Sequence, residues 1–232
     1  MTEAVVRLMN VEKVYAEDGL RVAAVRDVSF DVQPRRFSMI VGPSGSGKTT
    51  LLNLIGCIDV PSAGSVEVCG QPIAELSDDA LADFRSRNVG FVFQNFNLLP
   101  VLTAFENVEY PLLLLEEPAA RRRQRVMEVL EAVGLADKKD HRPNQLSGGQ
   151  KQRVAIGRAL VKAPQIVLAD EPTANLDTRT GAEIIGLMRE IQERSAVSFV
   201  FSTHDSQLMS HADETFVIRD GRLAAHRGKE AP

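Results

Sequence analysis

The sequence predicts an α/β fold built around a mainly parallel sheet, and three observations support this class. Short apolar runs that suit buried strands alternate along the chain with runs whose apolar residues recur at helical spacing. Several strand-like runs end in polar residues, which is where open α/β sheets place their ligand contacts. One run, at residues 39–41, enters a glycine-rich turn that leads directly into a helical run.

A small antiparallel layer is expected ahead of this turn. Apolar and polar side chains alternate there in short runs at residues 5–9, 22–25 and 28–32. Turn-like breaks at residues 17–19 and 33–36 bound these runs. Two interpretations of Tyr15 in this layer stay open from the residue alone: its ring either stacks on a nucleotide base or is a half-exposed strand tyrosine.

The glycine-rich turn at residues 42–49 follows the pattern G-x-x-x-x-G-K-[ST], which is typical of a phosphate-binding loop. Glycines let the backbone bend so that successive N–H groups point at a polyphosphate, and the following helix adds the positive end of its dipole. Lys48 can reach the β- and γ-phosphates, and the Thr49 hydroxyl can bind Mg²⁺. We therefore predict that a nucleoside triphosphate binds to Gly42, Pro43, Ser44, Gly45, Ser46, Gly47, Lys48, Thr49 and Thr50.

Three later strand-like runs end in side chains suited to nucleotide chemistry. These are Asp170 and Glu171 after residues 166–169, Gln94 after residues 89–93, and His204 after residues 198–203. Adjacent residues at a strand end point in different directions, so Asp170 can hold Mg²⁺ through water while Glu171 faces an attacking water. The alternatives are an ordinary loop residue for Gln94 and a structural role for His204.

A second anion-receiving turn lies within a helical stretch at about residues 95–160. Ser147, Gly148, Gly149 and Gln150 open a helix there, and a helix N-terminus presents unpaired N–H groups to an anion. One triphosphate has no evident need for two such turns, so the second is expected to serve the nucleotide of a neighbouring molecule. Further along, Asp177 is expected to cap the next helix.

Composition excludes several classes of function. Among 232 residues, 44% are hydrophobic and 25% charged, and no apolar run approaches the ~20 residues of a membrane span. The net charge of −4 gives no reason to expect nucleic-acid binding, and the arginine run at residues 121–125 is better explained as a solvated helix face. Cys57 and Cys69 lack metal-type spacing, and without a signal sequence we expect a cytoplasmic protein with reduced thiols.

Taken together, these motifs resemble the nucleotide-binding subunit of an ATP-binding-cassette (ABC) transporter over essentially the whole chain. Residues 42–49 match the Walker A loop of that family, residues 166–170 match Walker B, and residues 146–150 match the signature sequence. The remaining matches are Gln94 with the Q-loop, Glu171 with the catalytic acid, residues 175–177 with the D-loop, His204 with the switch histidine and Tyr15 with the base-stacking aromatic.

The resemblance implies a single ATPase domain over residues 1–232. Its parts would be a P-loop NTPase (RecA-like) core with a small antiparallel β layer, at residues 4–94 and 161–232, and an inserted helical subdomain at about residues 95–160. It also implies ATP and Mg²⁺ as cofactors, and a homodimer that encloses two ATP molecules head to tail.

The resemblance also assigns a role to each site residue. Lys48 and Thr49 of one copy would hold the phosphates, and Ser147 and Gly149 of the other copy would cover the γ-phosphate. Mg²⁺ would bind Thr49, Gln94 and, through water, Asp170. The other roles would be polarisation of the attacking water by Glu171, contact with the γ-phosphate by His204 and contact with the opposite subunit by Asp177.

Residues 56–59 and 91–100 are similar to the lipoprotein-release and macrolide-export branch of the family. This similarity implies a separate integral membrane permease and a peripheral location on the cytoplasmic face of the inner membrane. The apolar loop at residues 96–102, beside Gln94, is the candidate docking surface for that permease. The alternative is that this loop belongs to the core of the helical subdomain.

Three other functions share parts of this pattern. A non-transport ABC ATPase that acts on DNA or the ribosome needs long coiled-coil insertions or a second cassette, and neither fits in this chain. A kinase would leave the turn at residues 147–150 unexplained. A regulatory ABC ATPase paired with a non-transporting permease-like protein, as in cell division, uses the same chemistry and stays open.

Overall fold

A computed structural model describes residues 3–17 and 20–228, which form two β-sheets flanked by helices. The smaller sheet is antiparallel, with strand order β2-β1-β4-β5. Its strands are β1 (Val6–Glu17), β2 (Leu20–Val32), β4 (Ala63–Val68) and β5 (Gln71–Pro72). The predicted antiparallel layer is therefore confirmed, although residues 18 and 19 of the predicted turn at 17–19 lie outside the described residues.

The two long strands of this layer differ from the short separate runs that the sequence predicts. The register of β1 against β2 shifts three times between Leu8 and Val14, and Asn10 has a positive φ of 49°. Such irregularities change which face a side chain occupies, so the alternation of apolar and polar residues is interrupted although the strand continues.

The larger sheet has strand order β10-β9-β3-β8-β7-β6 and is parallel at every pair except β9–β10. Its strands are β3 (Phe37–Val41), β6 (Val89–Val92), β7 (Ile166–Asp170), β8 (Ser198–Thr203), β9 (Glu214–Arg219) and β10 (Arg222–Gly228). This confirms the predicted fold class. The carboxyl ends of β3, β8, β7 and β6 are neighbours along one edge, which brings the residues that follow them together.

Six α-helices connect these strands: α1 (Lys48–Ile55), α2 (Asp78–Asn88), α3 (Ala104–Leu114), α4 (Ala119–Ala132), α5 (Gly148–Leu160) and α6 (Thr178–Arg194). Thr103 and Glu106 form a capping box at the start of α3. Asp177 accepts a hydrogen bond from the Thr180 amide and caps α6, as predicted. Because Asp177 is the cap, α6 begins at Thr178.

Each face of the larger sheet packs against a different hydrophobic core. On β8, Phe199 and Phe201 face the core shared with helices α3 to α6, whereas Val200 faces the core shared with α1 and the antiparallel layer. The helices of residues 95–160 thus bury their apolar side chains in the same core as one face of the sheet. Their assignment to a subdomain with bounds at 95 and 160 stays a prediction.

One buried polar side chain shapes the loop before α3. Asn107 is fully buried; its amide nitrogen donates to the carbonyls of Leu99, Leu102 and Thr103, and its amide oxygen accepts from the Leu99 N–H at 2.8 Å. A single side chain therefore adds to the backbone hydrogen bonds of this loop, such as the one from the Leu102 N–H to the Leu99 carbonyl.

We expect Asn107→Ala to lower the free energy of unfolding by about 2–4 kcal/mol, because the Leu99 N–H and the Leu102 carbonyl lose their hydrogen bonds to Asn107 and a fully buried side chain is truncated. Urea unfolding followed by circular dichroism measures this change. Asn144→Ala, at an exposed position, is the control and should change stability by less than about 0.5 kcal/mol. Equal effects at both positions would contradict this role of Asn107.

Candidate active site

Many of the residues predicted to contact the nucleotide line one cavity of about 670 Å³ at the carboxyl edge of the larger sheet. The lining side chains are mostly polar or charged and come from the glycine-rich loop and from three strand ends. They are Ala24, Pro43, Ser44, Gly45, Gly47, Lys48, Thr49, Thr50, Gln94, Asp170, Glu171 and His204. The structure thus brings together the phosphate loop and all four predicted strand-end residues.

The phosphate loop has a backbone that only glycine accommodates at one key position. Gly47, immediately before α1, has a φ of 104°, and a Cβ built there would lie 2.5 Å from the Ala24 carbonyl oxygen. This conformation lets the chain enter α1 at Lys48 with the first helical N–H groups at the cavity. Helix α1 therefore presents the positive end of its dipole to a bound anion.

Lys48 is 6% exposed, and its ammonium lies within the loop. It donates hydrogen bonds to the carbonyl oxygens of Gly42 at 2.9 Å and Pro43 at 3.0 Å. The same nitrogen is 3.8 Å from Oε1 of Glu171, across the cavity. A cation held this way can move its hydrogen bonds from carbonyl oxygens to phosphate oxygens with little displacement.

The side chains of Asp170 and Thr49 bring oxygen atoms together at the cavity. The Thr49 hydroxyl lies 3.1 Å from Oδ2 of Asp170, and Ser202 donates from its hydroxyl to Oδ1 at 2.5 Å. Ser202, on the adjacent strand β8, fixes the orientation of the carboxylate and was not predicted to have a role. Among the described residues, no group of three or more His, Cys, Asp or Glu side chains is arranged so that the protein alone could hold a metal ion. A Mg²⁺ ion here would take one or two protein ligands and complete its shell with phosphate and water oxygens.

Glu171 follows Asp170 in a left-handed backbone conformation, with a φ of 46°. Its N–H bonds to both the hydroxyl and the carbonyl oxygen of Ser202, which hold this strained conformation. Oε2 of Glu171 lies 2.8 Å from Nδ1 of His204, so the two side chains already contact each other. The reversal of the backbone after the strand lets two consecutive acids line one cavity.

Gln94 is linked through its backbone to the loop that precedes α6. The side-chain amide of Asn175 donates to the Gln94 carbonyl at 3.0 Å and to Oδ1 of Asn95 at 2.8 Å. The exposed Gln94 side chain lines the cavity. These two hydrogen bonds connect Asn175 directly to the segment that carries Gln94. The sequence placed Asn175 in a tight turn without predicting this contact.

The second turn does not meet this cavity. Ser147 caps α5 through a capping box with Gln150, and none of residues 147–150 belongs to the described residues that line the cavity. Gly148 and Gly149 instead lie against Leu176 and Thr180, close to the exposed Asp177. The hydrogen bonds from Thr180 hold the pKa of Asp177 below its usual value. Residues 147–150 therefore lie outside the cavity of their own chain, and their part in a site shared between copies stays a prediction.

Tyr15 lies near the cavity without lining it. Its ring is 40% exposed, and its hydroxyl donates to Oδ2 of Asp59 at 3.0 Å and is also within hydrogen-bonding reach of Thr50. Burial, helped by Asp59, raises the pKa of Tyr15. The ring therefore stands beside Thr50, the third residue of α1, and its role as a base contact stays a prediction.

Comparison with known proteins places this geometry in context. Residues 25–174 match the family model described as "ABC transporter". An uncharacterized ABC transporter ATP-binding protein of Thermotoga maritima is 49% identical over 94% of this chain and 93% of its own length. The macrolide export ATP-binding/permease protein MacB of Sodalis glossinidius is 42% identical over 97% of this chain, which spans only 34% of MacB.

Solved structures give the same result. The dimeric structure of MJ0796, described as a bacterial ABC transporter cassette, is 40% identical with a TM-score of 0.89, over 98% of this chain and all of that chain. A second dimeric structure of MJ0796, in a post-hydrolysis state bound to ADP and Pi, has a TM-score of 0.88 with the same identity and coverage. Among the described residues of this chain, no helix is long and apolar enough to cross a membrane.

Proposed function

The chain belongs to the ABC transporter family and is an ABC ATPase, and we propose that two copies enclose two Mg-ATP molecules and drive a separate membrane permease of an export or lipoprotein-release system. One observation carries this proposal. The phosphate loop, both acids, Gln94 and His204 share one cavity, whereas the turn at residues 147–150 lies outside it. A chain with this arrangement completes its site with the turn of a second copy.

The residues of the cavity fit ATP hydrolysis. Lys48 and the amides at the start of α1 bind the phosphates, and Thr49 with Asp170 supplies oxygen ligands suited to Mg²⁺. Bound Mg²⁺ would neutralise negative charge on the phosphates. Glu171 orients and polarises the attacking water, and its contact with His204 holds both side chains at the position of the γ-phosphate. These roles rest on the geometry of this chain together with its family.

The proposed docking surface for the permease is a groove of about 440 Å³ beside the Gln94 strand end. Its apolar wall consists of Phe91, Phe93, Tyr110, Pro111 and Leu114. Of the predicted docking loop at residues 96–102, only Asn97 lines this groove, and Leu98 packs against the hydrophobic core instead. The groove thus extends from that loop along α3, where Tyr110 and Leu114 are exposed.

The charge of the groove defines the chemistry of the partner. Arg85, Arg158 and Lys162 line it, and no carboxylate does so among the described residues. Burial, together with the nearby Arg85 charge, lowers the pKa of Lys162 to about 8. Burial and the nearby Arg85 charge make the charged form of Lys162 less stable. An amphipathic segment of the permease that carries a carboxylate would stabilise that charge. Arg158 also donates to the carbonyls of Phe96 and Asn97, which connects the groove to the loop after Gln94.

Leu114→Asp is expected to abolish binding of the permease without changing ATP binding by the isolated chain, because it places a charge in the apolar wall of the groove. Leu113→Asp is the matched control, since Leu113 is exposed on the same helix but does not line the groove. The tagged chain is purified from detergent-solubilised membranes, and an integral membrane permease should co-purify with the wild type and with Leu113→Asp. If the permease co-purifies equally with Leu114→Asp and Leu113→Asp, the groove is not the docking surface. If no integral membrane protein co-purifies with the wild type, the proposed permease partner is contradicted.

A permease partner places the chain on the cytoplasmic face of the inner membrane, since the chain needs ATP and contributes no membrane-crossing helix within its described residues. The regulatory alternative, with a permease-like protein that transports nothing, predicts the same site and the same groove. No feature of the described structure favours it over transport.

A further inference from the structure

The loop that follows α1 is attached to strand β1. The amides of Ile58 and Asp59 bond back to the Asn53 carbonyl, so the chain folds against the end of α1. A few residues later, the Ser62 amide donates to the Glu12 carbonyl, and the Ser62 hydroxyl accepts from the Val14 amide at 3.0 Å. Helix α1, whose N-terminus forms the phosphate site, is therefore tied through this loop to the strand that carries Tyr15.

Asp59 makes the central contact of this attachment. Its Oδ1 lies 2.5 Å from the Lys13 ammonium, and its Oδ2 accepts the Tyr15 hydroxyl at 3.0 Å. The Lys13 side chain is 12% exposed and the Asp59 side chain 25% exposed, so the pair is mostly shielded from water. Burial alone would raise the pKa of Asp59, but hydrogen bonds from Lys13, Val60 and Tyr15 outweigh it and hold the pKa below its usual value.

Lys13 and Tyr15 lie close together on β1, although the register of β1 against β2 shifts between Lys13 and Val14. The Lys13 ammonium lies over the Tyr15 ring, 5.1 Å from its centroid. A cation that Asp59 holds therefore lies against the ring, while Tyr15 as a whole stays 40% exposed. A planar base can stack on an exposed aromatic ring of this kind.

We propose that Asp59 is a positioning residue for the nucleotide base: it fixes the Tyr15 ring, through the hydroxyl and through Lys13, at a set distance from the phosphate end of α1. The inference rests on the proposed role of Tyr15 as the base contact. It adds a reason for Asp59, which the sequence singled out only as part of residues 56–59. The carboxylate does not touch the nucleotide and acts through the two side chains that it binds.

The geometry explains why a carboxylate suits this position. A single Asp59 side chain accepts from two donors on β1 and from the Val60 amide, which a neutral side chain of the same size does less strongly. Tyr15 also meets Thr50, in the first turn of α1. Loss of the carboxylate frees the Tyr15 ring to rotate and removes the restraint on Lys13, so the ring no longer presents one fixed face.

The test compares affinity for Mg-ATP with affinity for Mg-tripolyphosphate, which has the phosphates and no base. Isothermal titration calorimetry of the full chain measures both ligands for each variant. We expect Asp59→Ala to weaken Mg-ATP binding about tenfold, which is about 1.4 kcal/mol, and to change tripolyphosphate binding by less than about twofold. The isosteric Asp59→Asn should also weaken Mg-ATP binding more than tripolyphosphate binding, but with a smaller loss of Mg-ATP affinity. It replaces Asp59→Ala in the test if the alanine variant folds poorly.

Two further variants decide between a positioning role and a structural role. Tyr15→Ala should produce the same selective loss, and the double variant Tyr15→Ala with Asp59→Ala should lose no more than Tyr15→Ala alone, because Asp59 acts through the ring. Asp83→Ala removes another cation-paired carboxylate, on α2, and should leave both affinities unchanged.

Each alternative outcome identifies what is wrong. Equal loss of both ligands with Asp59→Ala would show that the residue supports α1 as a whole and would overturn the inference. A selective loss with Tyr15→Ala but none with Asp59→Ala would overturn the inference and leave the proposed base contact intact. Equal behaviour of both ligands with Tyr15→Ala would refute the base contact itself, and the inference with it.

Discussion

Glu171→Gln is expected to lower the rate of ATP hydrolysis by about two to three orders of magnitude and to leave ATP binding intact. The substitution keeps the size of the side chain and an oxygen that can contact His204, but it removes the negative charge that polarises the attacking water. Lys48, Thr49 and Asp170 keep their contacts, so the phosphates are still bound. Phosphoryl transfer depends mainly on positioning and charge, which makes this carboxylate the most sensitive group in the cavity.

Two measurements check this expectation. Phosphate release gives the rate, and size-exclusion chromatography with light scattering in the presence of Mg-ATP gives the mass. The variant should shift from monomer to dimer when Mg-ATP is added, because hydrolysis no longer separates the copies. Glu183→Gln, at an exposed carboxylate on α6 paired with Arg179, should keep the wild-type rate. Rapid turnover by Glu171→Gln would show that another group activates the water.

The parts of the fold that the sequence predicts are those with a strong local pattern. Strand β8 is predicted with its observed bounds, because its apolar residues and the polar residues after it mark both ends. Strand β10 was not predicted, since its side chains are mostly exposed or half-buried and it is paired only at the sheet edge. Its existence depends on β9, which lies beside it after a tight turn, and not on a pattern of its own.

The candidate site follows the same division. Gln94, Asp170, Glu171 and His204 could be placed together because parallel strands bring their carboxyl ends to one edge. The side chains that orient the site residues could not be predicted, because each of these contacts joins residues that are distant in sequence. Ser202, which contacts Asp170, is 32 residues from it, and Asp59, which contacts Tyr15, is 44 residues from it. Serine and aspartate occur commonly in turns, so their types alone do not indicate such a partner.

Because the turn at residues 147–150 lies outside the cavity of its own chain, two inactive variants are expected to restore ATPase activity to each other when they are mixed. Lys48→Met removes the phosphate-binding cation while it keeps most of the side-chain volume. Ser147→Asp keeps a good helix N-cap for α5 but places a negative charge where the proposed site would receive the γ-phosphate. Each variant alone should hydrolyse ATP at less than about 1% of the wild-type rate, because every site in its homodimer has one defective half.

An equal mixture of the two variants should recover activity. Half of the dimers would be mixed, and each mixed dimer would contain one site built from an intact phosphate loop and an intact Ser147 turn. If the two sites act independently, the mixture should reach about a quarter of the wild-type rate at the same total concentration. Phosphate release from the mixture and from each variant alone measures this recovery. A mixture no more active than the mean of its components would mean that Ser147 does not complete the site of another copy. Recovery follows only if the turn that lies outside the cavity of its own chain enters the cavity of its partner.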